Sequence, residues 1–203
     1  MKIIIIIIII VLFLLTSAIS WTQTRVDTTY QVELTATACP MISFFRHPRV
    51  PQTTNNASLG YGILVRGMWH PGRLLSLGLM TGYLFIAQDE IPVDPVLGSQ
   101  FAINPSARLA AIPLQAAISM QKNEIEIGMG VGPYLFLSTI DYGNGASAHG
   151  RRIEFGVTFF GSYFFSLNDK VKIGPELRVV YLGYRGILSW MPSLNFRFDT
   201  MRY

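Results

Sequence analysis

Three histidines, His47, His70 and His149, are the side chains of this sequence best suited to moving protons near neutral pH. All three fall in stretches that read as connections. His47 with Ser43, or His149 with Asp141 and Ser147, supply the residue types of acyl transfer: a general base, a hydroxyl nucleophile and, for His149, a carboxylate to orient it. Such a set is recognised by geometry in space, and a solvated loop histidine satisfies the same sequence pattern. Cys39 is the only cysteine, so it forms no disulfide within the chain. The sequence has no glycine-rich nucleotide loop, no His/Cys cluster at zinc spacing and no Gly-x-Ser-x-Gly elbow. No catalytic, cofactor-binding or metal-ligating residue is assigned, and the expectation is a protein that is not an enzyme.

A second polar set is better organised. Glu33, Arg66, Glu126, Glu154, Lys172, Glu176, Arg178, Arg197 and Asp199 stand at positions that alternate with apolar ones, with the two signs in near balance. Alternation at period two is the signature of a β-strand. In Tyr30 to Ala38, Tyr30, Val32, Leu34, Ala36 and Ala38 oppose Gln31, Glu33, Thr35 and Thr37. The same separation recurs in Leu59 to Trp69, Leu75 to Phe85, Ala110 to Met120, Ile125 to Leu137, Ile153 to Phe165, Val171 to Tyr181 and Leu194 to Asp199. The connections after the second, fourth and sixth segments are short: His70-Pro71-Gly72, Gln121-Lys122-Asn123 and Leu167-Asn168-Asp169. Those after the first, third and fifth are longer, above all Pro40 to Ser58 and Ala87 to Pro105.

Ahead of these segments, Lys2 precedes an unbroken apolar run from Ile3 to Leu15, and Ala18-Ile19-Ser20 places small residues where a signal peptidase cuts. Residues 1–20 are therefore expected to be a cleaved signal peptide, 21–29 a periplasmic lead-in and 30–203 a single folded unit. The 203-residue chain is half hydrophobic and only 14% charged, against about 25% in soluble domains, and its mean hydropathy is +0.38. Beyond the N-terminus no run approaches the roughly 18 apolar residues of a spanning helix. The net charge of +4 is scattered, with Arg151-Arg152 as the adjacent basic pair, which argues against nucleic acid as a partner.

Eight alternating segments with short and long connections in turn predict an all-β, eight-stranded antiparallel up-and-down transmembrane barrel in the bacterial outer membrane. A soluble periplasmic lipid-binding barrel alternates too, but with its bulky apolar residues inside. Here the polar side carries mostly Gly, Ser, Thr and Ala, and eight strands leave a lumen that side chains fill, so bulky residues are expected to face lipid. Tyr61, Trp69, Tyr83, Phe85, Phe165 and Tyr181 suit the interfacial girdles. The nine charges are then read as a salt-bridged network filling the lumen, with a narrow solute pore as the alternative. Glu33 and Arg197, on the strands that close the barrel, are expected to face each other. Pro113, Pro133 and Pro175 fall inside strands, where local bulges are expected.

Leu109-Ala110-Ala111-Ile112-Pro113-Leu114, a short turn, then Gly128-Met129-Gly130-Val131-Gly132-Pro133-Tyr134 resembles the central hairpin of the PorT-like outer-membrane β-barrel domain family. Gly156-Val157, Tyr163 and Leu167-Asn168-Asp169-Lys170 are similar to its next hairpin, and the resemblance covers roughly Tyr30 to Phe198. It implies an eight-stranded outer-membrane barrel without catalytic residues. One namesake takes part in protein secretion, whereas some barrels of this size are lipid acyltransferases. The expected role is a scaffold, binding surface or secretion accessory. The expected partners are outer-membrane lipid, the barrel-assembly machinery and a protein met at outer loops or periplasmic turns. The end of the chain departs from the pattern: a terminal aromatic normally shares the phase of the last strand's outward residues, but Tyr203 has the opposite parity to Leu194, Phe196 and Phe198. A bulge after Phe198 or a periplasmic tail would account for it.

Overall fold

The computed structural model describes residues 30–46, 57–71, 74–90, 106–142, 146–168, 170–183 and 186–202. The expected signal peptide, the lead-in, His47 and Tyr203 lie outside them. The strands are β1 (Gln31–Phe45), β2 (Ala57–His70), β3 (Leu75–Glu90), β4 (Ser106–Lys122), β5 (Ile125–Asp141), β6 (Ser147–Tyr163), the two-residue β7 (Phe165–Ser166), β8 (Val171–Leu182) and β9 (Ile187–Arg202). Each pairs antiparallel with its neighbours in the order β6-β5-β4-β3-β2-β1-β9-β8-β7, and β6 also pairs with β8. That last pairing closes the sheet. Because β7 continues β6 in the same register against β8, the wall has eight staves.

The staves run further than the apolar alternation suggests. β1 includes Pro40 to Phe45 and β2 begins at Ala57, so much of the expected Pro40-to-Ser58 connection is strand. Likewise β3 runs past Ala87 to Glu90, β5 to Asp141, and β9 takes in Ile187 to Ser189. Burial keeps step with pairing there, since Met41, Ser43, Phe45, Ile187 and Ser189 are buried; what fades is the apolar–polar contrast, because both faces carry apolar or small residues.

The outer and inner faces separate as the residue sizes require. Leu59, Ile63, Leu79, Ile127, Ile153 and Phe155 are among the most exposed large apolar residues, while Arg66, Glu126, Arg178 and Arg197 are buried inside. A soluble lipid-binding barrel would have the reverse arrangement, so that alternative is overturned. Aromatic pairs mark both rims: Tyr30 stacks on Trp69 at the end that holds the chain termini, and Tyr61 stacks on Phe85 towards the other. Tyr61 and Trp69 are eight residues apart on β2, about 26 Å along the strand and roughly 20 Å once tilted, which sets both just inside the edges of an apolar band of about 25 Å.

The prolines behave differently from expectation. Pro113 stands opposite Tyr134, Pro133 opposite Phe155 and Pro175 opposite Leu194, with no register shift at any of them. Pairing between β4 and β5 lapses at Leu114 and Gln115 and resumes at Ala116 in the same register. Pairing between β6 and β8 runs to Ser162–Glu176 and resumes at Phe165–Ile173, again in register. The missing N–H groups therefore interrupt the ladder without inserting a residue. Across the β6–β8 gap Phe164 turns inward, and Gly174 permits it, because a Cβ there would lie 1.7 Å from the Tyr163 carbonyl oxygen.

True register shifts lie elsewhere. One falls between Phe85 and Ala87, where Ile86 is the extra residue of β3 against β4. The other lies between Val32 and Glu33, which pair with Met201 and Asp199, leaving Thr200 as the extra residue of β9. Thr200 Oγ1 donates to the Val32 carbonyl at 2.7 Å. This bulge advances the register after Phe198, so Met201 pairs with Val32, and β9 stays paired to Arg202.

Candidate functional site

The lumen is built in layers, because inward positions recur every second residue on every stave. In the half nearest the termini, Arg66 on β2 lies 3.0 Å from Glu126 on β5 and 3.5 Å from Glu176 on β8. Arg178 grips Glu176 through Nε at 2.9 Å and Nη2 at 2.5 Å. Arg197 on β9 binds Glu126 and stands 3.2 Å from Glu33 on β1. Lys172 completes the chain at 4.0 Å from Glu33. The strands β1, β2, β5, β8 and β9 are thus joined by one run of charges: Lys172, Glu33, Arg197, Glu126, Arg66, Glu176 and Arg178.

Aromatic faces and neutral donors finish the layer. Arg66 lies 4.0 Å above the Phe160 ring and Arg197 3.7 Å above Phe164. Asn195 and Ser162 donate to Glu176 at 2.7 and 2.8 Å, and Thr37 donates to Asn195 at 2.6 Å. Glu154 lies towards the loop end of β6, 3.2 Å from Arg152, and Lys172 and Asp199 are only partly buried at the terminal mouth.

Sequence reasoning missed three parts of the lumen. His70 reads as part of a connection, yet it is the last residue of β2 and is buried, with Nε2 2.8 Å from Glu33 and Nδ1 2.5 Å from Ser76 Oγ. Its parity with Arg66 was the available signal. Above the charges, Thr158 donates to Gln115 at 2.9 Å and shares a 2.8 Å hydrogen bond with Tyr134. Above that again, towards the loops, large apolar residues meet across the barrel: Met41, Leu84, Ile86, Phe136, Leu182 and Met191. The expectation of a small-residue lumen holds poorly in this upper half. Ile86 keeps the inward phase of Met80 and Leu84, and the β3 bulge brings Ala87 to the same face, which alternation alone does not reveal.

The histidine sets resolve into different surroundings. Ser43 is buried in the lumen against Ser189 at 2.7 Å, which removes it from a solvent-facing loop. His149 lies on β6, exposed, with Nε2 3.2 Å from Ser147 Oγ and Nδ1 3.2 Å from Thr139 Oγ1. A threonine thus occupies the orienting position that a carboxylate holds in an acyl-transfer triad. Among the described residues no group of three or more His, Cys, Asp or Glu is placed to hold a metal ion.

No family model matches the chain, and no curated protein matches it in sequence. Solved structures do match in fold. Neisserial surface protein A is 12% identical with a TM-score of 0.51, over 86% of this chain and all of that one. A major outer membrane protein from Thermus thermophilus is 11% identical with a TM-score of 0.53, over 82% of this chain and 99% of that one. With its apolar outer wall, charged lumen and closed eight-stave sheet, the chain has the fold of the bacterial outer-membrane β-barrels.

Proposed function

We propose that this chain is a non-enzymatic outer-membrane barrel that acts as a scaffold, binding surface or secretion accessory through the part of its wall and loops beyond the membrane. The observation that carries this reading is the length of the staves. β4, β5 and β6 each have 17 residues, whereas a spanning strand needs about 9–11. At about 3.3 Å per residue and a tilt near 40°, 17 residues rise roughly 43 Å, some 18 Å more than an apolar band of about 25 Å. The β4–β5 turn is the tight Asn123-Glu124, with Asn123 at φ 56°, so the excess stands on the loop side.

The filled lumen supports the same reading over a pore, since apolar side chains meet across its loop half. The Thr139–His149–Ser147 contacts, lacking a carboxylate beside Nδ1, give the acyltransferase reading little support. The PorT-like resemblance is supported locally, since its two motif strands are paired neighbours, Ile112 opposite Leu135 and Pro113 opposite Tyr134. A place in the outer membrane follows from the apolar wall and the fold.

The test is photo-crosslinking in cells from the β5–β6 overhang, at Tyr142 or Ala146, compared with the turn residue Asn168. A discrete protein adduct from the overhang positions, together with unchanged lipid profiles in His149→Ala cells, is the expected result. Stepwise conductance of the purified protein in planar bilayers, or lipid profiles that depend on His149, would replace this reading by the pore or the enzyme.

A further inference from the structure

Each inward arginine of the described residues has an acidic partner, but the outward ones towards the loops do not. Arg66, Arg178 and Arg197 are held by Glu126, Glu176 and Glu33, and Arg152 by Glu154. Arg108 on β4 and Arg151 on β6 are exposed and take part in no ion pair among the described residues. The register places them together. Arg108 is opposite Thr139, which is opposite His149, forming one row across three staves. The next row towards the membrane is Ala110, Leu137 and Arg151, and the one after it is Ile112, Leu135 and Ile153. With strands about 4.8 Å apart and a two-residue offset, the two guanidinium-bearing positions lie roughly 12 Å apart on one outer face.

Their height is as informative as their charge. Arg151 is twelve residues along β6 from Tyr163, which packs edge-on against Phe165 at the rim nearest the termini. Twelve residues rise roughly 30 Å on a tilted strand, just above a band of about 25 Å. Directly below, Ile153 and Phe155 are 70% and 68% exposed, among the barest apolar side chains of the wall. Unpaired cations stacked on such a wall complement an amphiphile whose anionic head sits at the interface and whose chains run down the barrel.

We propose that Arg108 and Arg151, on the outer face of β4–β6, form a binding site for the phosphate of a membrane lipid in the leaflet on the loop side. Guanidinium groups bind phosphate oxygens in bidentate fashion, and the neighbouring Thr139 and His149 add neutral hydrogen-bonding groups. The lipid, rather than free phosphate, is the occupant because half of the complementary surface is apolar. The site fixes one side of the barrel at a set depth and orders a lipid beneath the overhanging hairpin.

Native mass spectrometry of the folded, detergent-solubilised barrel tests this directly. The probes are a diphosphorylated glycolipid, phosphatidylglycerol, phosphatidylcholine and inorganic phosphate. The wild-type protein is expected to retain the phosphorylated anionic lipids over phosphatidylcholine. The double variant Arg108→Gln/Arg151→Gln should lose at least tenfold of that retention, and Lys122→Gln, at the other end of β4, should lose none. Each variant is first shown to fold by its unheated gel mobility. Retention unchanged in the double variant, or lost equally in Lys122→Gln, would overturn the site. Full displacement of lipid by millimolar inorganic phosphate would overturn the lipid as its occupant.

Discussion

At the scale of single residues, the lumen charges are interdependent because each sits where water is largely replaced by other side chains. Glu126 receives both Arg66 and Arg197, so removing it leaves two buried guanidinium groups short of a partner. Breaking a buried pair on one side costs about 3–5 kcal/mol, whereas replacing the whole set with apolar groups of similar volume is often neutral. Glu126→Leu is accordingly expected to lower stability by about 3 kcal/mol in urea-induced unfolding from lipid bilayers. The triple change Arg66→Met/Glu126→Leu/Arg197→Met should cost less than the sum of the three single changes, and strict additivity would show that these groups do not act as one network. Alternation put Glu33 and Arg197 on the inner face of adjoining staves, but it says nothing of which carboxylate meets which guanidinium. Partner choice depends on register and on side-chain reach, and Arg197 reaches Glu33 diagonally, since its own backbone partner is Thr35.

At the scale of elements, the deviations from regular pairing carry specific expectations. Gly174 and Gly161 lie in the adjoining staves β8 and β6, yet a Cβ at Gly174 would collide with the Tyr163 backbone while one at Gly161 would meet nothing within 4 Å. Gly174→Ala is expected to lower the thermal unfolding midpoint by several degrees and Gly161→Ala to leave it within error; equal effects would mean that the Phe164 inturn does not depend on that close approach. The Thr200 bulge is tested by deleting the residue. Loss of the one-residue advance should reduce the fraction of protein reaching the heat-modifiable form in the outer membrane by at least half. Normal assembly of the deletion would show that the phase of the chain end is not read. The sequence already held the parity conflict between Tyr203 and Phe198 as a clue to this bulge. It held no such clue at the β3 bulge, where the residue turned inward out of phase is Ala87, small and apolar enough for either face.

At the scale of the whole molecule, closure and filling determine behaviour. A sheet closed through β6–β8 has no free edge, so the native barrel should resist detergent at room temperature and migrate differently on gels before and after boiling. Conductance in planar bilayers should be absent in the wild-type protein. It should appear when the apolar layer is opened by Phe136→Gly with Met191→Gly, since both side chains are buried in the loop half. Silence of that variant despite normal folding would place the seal in the charged half instead.

The sequence by itself determined the strand count, the alternation of lipid-facing and lumen-facing residues and the identity of the inward charges, because period two is written residue by residue and needs no knowledge of neighbours. The tertiary structure alone decided the ion-pair partners, the contacts of His70 with Glu33 and Ser76, the apolar layer over the charges and the lengths of the staves beyond the membrane band. Each of these depends on register between strands distant in the chain, which backbone hydrogen bonding sets and local alternation does not encode. The pair Arg108 and Arg151 belongs to the second kind: 43 residues apart in sequence, they become neighbours only when β4, β5 and β6 lie side by side.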